Sequence, residues 1–85
     1  MTFHLSNHAK EQMLLRGIAE FQVEEVLENP DSVIERAADQ LVFQKIRTFE
    51  NGANFLLRVF VNPLKDPALI ITVYKTSKLD KYHAN

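Results

Sequence analysis

The chain contains no cysteine. That excludes disulfide staples, a thiolate nucleophile and thiolate metal ligands, and it fits a reducing compartment. Glycine occurs only twice, at Gly17 and Gly52. Each sits where a cap or a turn explains it, so there is no glycine-rich phosphate loop and no Gly-x-Ser-x-Gly nucleophile elbow. The histidines His4, His8 and His83 are scattered, with no His-Glu-x-x-His pair. The expectation is therefore no bound metal and no cofactor. No apolar run approaches the length that spans a bilayer. The start, Met1 to Leu5, lacks a basic segment followed by an apolar one, so the expectation is a soluble cytoplasmic protein without membrane contact.

What is present is enough for one small domain. The 85 residues carry no linker, repeat or low-complexity segment, so residues 1–85 are read as a single unit. The longest β-branched run, Ile70-Ile71-Thr72-Val73, lies inside Ala68 to Lys78. It reads as a central strand, apolar on both parities at its start and ending in donors. Alternation places Thr72, Tyr74, Thr76 and Lys78 on one face, and Val73, Lys75 and Ser77 on the other.

Two helices are expected first. Ser6 is a good N-cap for a helix over Asn7 to Arg16, and Gly17 fits its left-handed terminus. Ala9 and Met13 share a core-facing row, and His8, Gln12 and Arg16 form the row beside it. Glu20 to Glu28 forms the second helix, with an apolar stripe, a solvated acidic face and a stop at Asn29-Pro30. Strands are then expected at Ser32 to Arg36 (an edge), Leu41 to Phe49, Asn54 to Asn62 and Ala68 to Lys78. Asn51-Gly52 marks a hairpin. The fold class is α+β: an N-terminal αα-hairpin packed on a three- to four-stranded antiparallel sheet.

Charge is divided along the chain. Residues 1–39 hold three cations against eight carboxylates, and residues 40–85 hold seven cations against three. An anionic partner for the basic half is one consequence, with Lys45, Arg47, Arg58 and Lys78 forming a single basic face. The other is a fold that interleaves the halves and averages the poles.

Metal-free phosphoryl transfer on RNA asks little of a protein. The RNA supplies its 2′-hydroxyl as nucleophile, so the protein needs a base, an acid and cations for the pentacoordinate phosphate. Residue types suited to those tasks are His8, Arg16, Lys45, Arg47, Arg58, Tyr74, Lys75, Thr76, Ser77, Lys78 and Tyr82. Each also has a plain structural role. His8 can cap the helix, Arg16 can answer the helix dipole, Tyr74 can be a core ring and Arg58 can snorkel from the sheet.

One pattern joins them. The stretch Ser6-Asn7-His8-Ala9 through Arg16-Gly17-Ile18 resembles the start of a family of small bacterial proteins catalogued as a domain of unknown function. The resemblance continues through Val23 to Val33 and ends in Ile71-Thr72-Val73-Tyr74-Lys75-Thr76-Ser77-Lys78 and Tyr82. Gln12 departs from it, where a basic residue is common, as does Ala19, where Ser or Thr usually caps. The family in turn resembles RelE/ParE-type toxins and colicin-type ribonucleases. That resemblance implies a RelE/barnase-like fold and a metal-independent endoribonuclease belonging to a toxin–antitoxin pair. It implies RNA, ribosome-bound mRNA included, as substrate and a cognate antitoxin as protein partner. Catalytic weight falls on His8, Arg16, Tyr74, Thr76 and Lys78. Lys45, Arg47, Arg58, Ser77 and Tyr82 would bind RNA. The rival readings are a non-catalytic RNA- or protein-binding module using the same face, and an oligomerising domain, such as a homodimer, joined through the edge near Ser32 to Arg36.

Overall fold

The computed structural model describes residues 2–79. Its elements in chain order are β1 (Phe3–Leu5), α1 (Asn7–Arg16), α2 (Glu20–Glu28), β2 (Ser32–Ala37), β3 (Gln40–Thr48), β4 (Asn54–Asn62) and β5 (Ala68–Thr76). The class is α+β. Among the described residues, no helix is long and apolar enough to cross a membrane.

Local chemistry sets the helix ends. Ser6 is extended, and its Oγ accepts from the Ala9 N–H at 3.0 Å. The same hydroxyl donates to the Ile71 carbonyl at 2.9 Å, and the Ser6 N–H donates to the Ile70 carbonyl at 3.1 Å. One residue therefore caps α1 and ties it to β5. At the other end Gly17 adopts φ 65°, Ile18 N–H donates to the Met13 carbonyl and Gly17 N–H to that of Leu14. This pair of bonds is the Schellman motif, and Ile18 and Met13 both enter the core. α2 starts less well. Ala19 has no side-chain acceptor for the first turn, so only the Gln22 side chain reaches back, to the Ala19 N–H at 2.9 Å.

The sheet has five strands in the order β1-β5-β4-β3-β2. This corrects the expectation of three or four strands, all antiparallel. β2 to β5 do form the expected antiparallel meander, but β1 adds a parallel strand, with Phe3, His4 and Leu5 opposite Ala68, Leu69 and Ile70. Three residues are too few to show a period in sequence, and their partner lies more than sixty positions away. The central strand is consequently β4. β5 looks apolar on both parities because β1 and α1 accompany its first half. β5 also ends at Thr76, short of Lys78.

Register decides which residues share a face. Phe43, Val59 and Val73 are neighbours across β3, β4 and β5, with Leu57, Val61 and Ile70 on the same side. They pack with Ala9 and Met13 of α1 and Val23 and Val26 of α2 in one core cluster. A fully buried Leu or Val contributes about 1.5–3 kcal/mol relative to exposure, so this cluster dominates stability. The second face carries Val42, Gln44, Leu56, Arg58 and Phe60, all buried, with Thr72, Tyr74 and Thr76 beside them.

Both caps can be tested by urea unfolding. Ser6→Ala removes a cap and a tertiary bond and should cost about 1–2 kcal/mol. Ala19→Ser completes a capping box and should gain up to about 1 kcal/mol with an unchanged m-value. A neutral Ser6→Ala would show that the hydroxyl does not anchor α1.

Candidate functional site

The second face of the sheet gathers the polar groups. Cross-strand register sets Gln44 of β3 opposite Arg58 of β4, and Arg58 opposite Tyr74 of β5. Arg58 is 8 % exposed and Gln44 is wholly buried. Arg58 Nε donates to Gln44 Oε1 at 2.7 Å, and Gln44 Nε2 donates to Ser32 Oγ at 3.1 Å. Arg58 Nη1 donates to the Tyr74 hydroxyl at 2.5 Å. A hydrogen-bonded line thus crosses four strands, from Ser32 to Tyr74.

Aromatic contacts reinforce it. The Phe60 and Tyr74 rings stack at 5.8 Å between centroids. The Arg58 guanidinium lies 5.2 Å from the Phe60 ring centre and 5.6 Å from that of Tyr74. Arg16, at the end of α1, brings a second guanidinium to within 5.8 Å of the Tyr74 ring centre. Its Nε donates to Gln12 Oε1 at 3.0 Å, one turn back in the row that begins at His8. Tyr74 therefore stands between two cations from distant parts of the chain, one buried and one exposed. Because its hydroxyl accepts from Arg58, its own proton is free to point outward to an anion.

Thr76 continues the face of Tyr74, and its Oγ1 accepts from the Lys78 N–H at 3.1 Å. Ser77 and Lys78 are exposed just beyond the strand. His8 is exposed on α1, about 12 Å along the helix axis from Arg16, since eight residues rise at 1.5 Å each. No hydrogen bond or ring contact joins His8 to Tyr74 among the described residues. Tyr82 lies outside the described residues.

Lys45 and Arg47 point the other way. Their partners across the ladder are Leu57 and Phe55, on the helix-bearing side. Lys45 Nζ donates to the Asn29 carbonyl at 2.9 Å and lies 3.7 Å from Asp31, while Arg47 pairs with Glu25. The single basic face expected from charge division does not form. Alternation separates Arg58 from Lys45 and Arg47, and carboxylates of the acidic half partner the latter two. The halves interleave.

Lys75 also sits on the helix-bearing side, its ammonium 4.1 Å from the centre of the Phe49 ring and 5.0 Å from that of Phe55. Among the described residues, no group of three His, Cys, Asp or Glu side chains could hold a metal.

Sequence reasoning missed Gln44, Phe60 and Ser32 as members of the site. A signal existed for Gln44, since an amide directly after the apolar run Leu41-Val42-Phe43, on the same strand face as Val42 and Ile46, calls for a buried partner. Which partner depended on register.

The network makes a stability prediction. Arg58→Ala leaves the Gln44 amide and the Tyr74 hydroxyl short of a partner and opens a cavity, so it should cost about 3 kcal/mol or more. Tyr74→Phe keeps the ring stack and loses one charge-assisted bond, at about 1–2 kcal/mol. Urea titration followed by circular dichroism measures both. A neutral Arg58→Ala would refute the buried network.

No curated protein and no solved structure matches the chain. Residues 5–75 match the family model described as "Domain of unknown function (DUF4258)", a span that runs from β1 through Tyr74, and the chain belongs to that family.

Proposed function

We propose that the protein is a metal-independent endoribonuclease of the RelE-related toxin class. It would bind RNA at the Arg16–Tyr74–Arg58 cluster. The observation that carries this reading is the phenol of Tyr74 set between two guanidinia, with hydroxyls and a lysine following at the strand end.

In this mechanism the RNA 2′-oxygen attacks the adjacent phosphorus. The 2′-O–P bond forms, the P–O5′ bond breaks, and the products are a 2′,3′-cyclic phosphate and a 5′-hydroxyl. The 2′-hydroxyl proton goes to a base and the departing 5′-oxygen takes one from an acid. Arg16 and Lys78 meet the phosphate, and their charge matters most as the pentacoordinate state gains negative charge. Tyr74 donates its hydroxyl proton as a hydrogen bond to a non-bridging oxygen. Arg58, being buried, acts through Tyr74: it fixes the phenol and adds positive potential from behind. Thr76 and Ser77 position the backbone, and His8 carries a proton. Lys45 and Arg47, engaged on the opposite face, take no part. A cognate antitoxin is the protein partner that membership of this class brings.

The second reading is an RNA-binding module without catalysis. It is favoured by one observation, that no hydrogen bond or ring contact joins His8 to Tyr74 among the described residues.

Purified protein incubated with total RNA in EDTA tests both. Cleavage should persist in the chelator and leave cyclic or 3′-phosphate ends. His8→Ala should slow it about a hundredfold or more with little change in affinity. Arg16→Ala should lower both rate and affinity. Affinity should fall only shallowly with salt, with a slope of about −0.7 per phosphate engaged, because few cations share the face. Intact RNA that is nonetheless bound leaves the binding module. RNA neither bound nor cleaved removes both readings.

A further inference from the structure

A second surface lies across the sheet from Tyr74. On the helix-bearing side a groove of 670 Å³ opens between α2 and β1. Its floor is apolar: Phe3 and Leu5 of β1, Phe43 of β3 and Ile70 of β5. Phe3 meets Phe43 edge-on at 6.2 Å between ring centroids, so the floor is a fixed aromatic surface. α2 forms the wall, where Leu27 lies beside Glu20, Glu24 and Glu28. These three carboxylates are exposed, and no ion pair or hydrogen bond engages them among the described residues. Glu25, on the other side of α2, is already matched by Arg47.

Like charges at i,i+4 destabilise a helix, so a row of three on one wall carries a standing cost that a cationic neighbour would relieve. The row repeats every turn, about 5.4–6 Å. Lysines or arginines at i, i+4 and i+8 of a second helix repeat at the same interval. A helix also fits the floor, because its aliphatic row can drop between α2 and β1 while its backbone stays above the groove.

We propose that this groove docks an amphipathic helix of a partner protein, one whose aliphatic stripe is bordered by a row of Lys or Arg. The partner seats on Phe3, Leu5, Phe43 and Leu27 and pairs its cations with Glu20, Glu24 and Glu28. It leaves Arg16 and Tyr74 open, so docking and RNA binding are compatible on one molecule.

The probe is a synthetic amphipathic 18-residue peptide of Leu, Ala and Lys, with Leu on one face and Lys bordering it. Two controls are the same peptide with Glu in place of Lys and a scrambled sequence of equal composition. In ¹H–¹⁵N correlation spectra the Lys peptide should shift residues of α2, β1 and Phe43 and leave those around Tyr74 unmoved. The combined variant Glu20→Gln, Glu24→Gln, Glu28→Gln should weaken binding at least tenfold, and the Glu and scrambled peptides should bind at least tenfold more weakly than the Lys peptide. The triple variant should stay folded, since it removes repulsion within α2. Shifts centred elsewhere, unchanged affinity of the triple variant, equal binding of the scrambled peptide, or no binding at millimolar peptide would each overturn the proposal.

Discussion

A guanidinium almost closed off from water sets the terms for half of this molecule. Burying an unpaired charge costs several kcal/mol, so Arg58 persists on β4 only because its neighbours are polar in the right places. Gln44 takes its Nε, and Tyr74 takes one of its outer nitrogens. Gln44 in turn engages Ser32, so the constraint passes outward to the edge strand β2. A shift of one residue between β3 and β4 would turn Gln44 toward the helices and set Phe43 or Lys45 opposite Arg58 in its place. The buried charge therefore enforces the register that the apolar core on the other face also requires.

The same sheet supports different chemistry on its two sides. Facing the helices, Lys45 and Arg47 are held by Asp31 and Glu25, and the apolar cluster supplies most of the stability. On the reverse, Arg58 and Phe60 fix the phenol of Tyr74 in place and in orientation. α1 connects the two sides. Ser6 binds the helix start to Ile70 and Ile71, which fixes where its last turn, and hence Arg16, arrives. The exposed cation near Tyr74 is thus positioned by a hydroxyl ten residues earlier in the chain.

Much of this was legible in the sequence because it is local. Ser6, Gly17 and Asn29-Pro30 mark helix boundaries through backbone chemistry that acts within a turn, and both helices occupy the residues those signals bracket. Alternation likewise assigned Thr72, Tyr74 and Thr76 to one face. Non-local pairing was not legible. β1 is defined by its parallel partner Ala68–Ile70, and nothing in Phe3-His4-Leu5 announces it. The grouping of Lys45 and Arg47 with Arg58 failed for the same reason, since which parity of β3 meets which parity of β4 is a property of register. Arg16, Arg58 and Tyr74 were each candidates on residue type. That they meet, while His8 stands two turns away, is tertiary information.

On the proposed function, Tyr74 and its two guanidinia would form an anion-recognition surface for RNA on the face opposite the helices. The most direct measurement is a nuclear magnetic resonance titration that follows the arginine Nε–Hε groups and the Tyr74 ring while a short single-stranded RNA is added. Arg16 and Tyr74 should shift together and saturably, Arg58 should follow through its bond to the phenol, and Arg47, paired with Glu25, should stay unmoved. Saturable shifts at Arg47 with Arg16 and Tyr74 unchanged would contradict it.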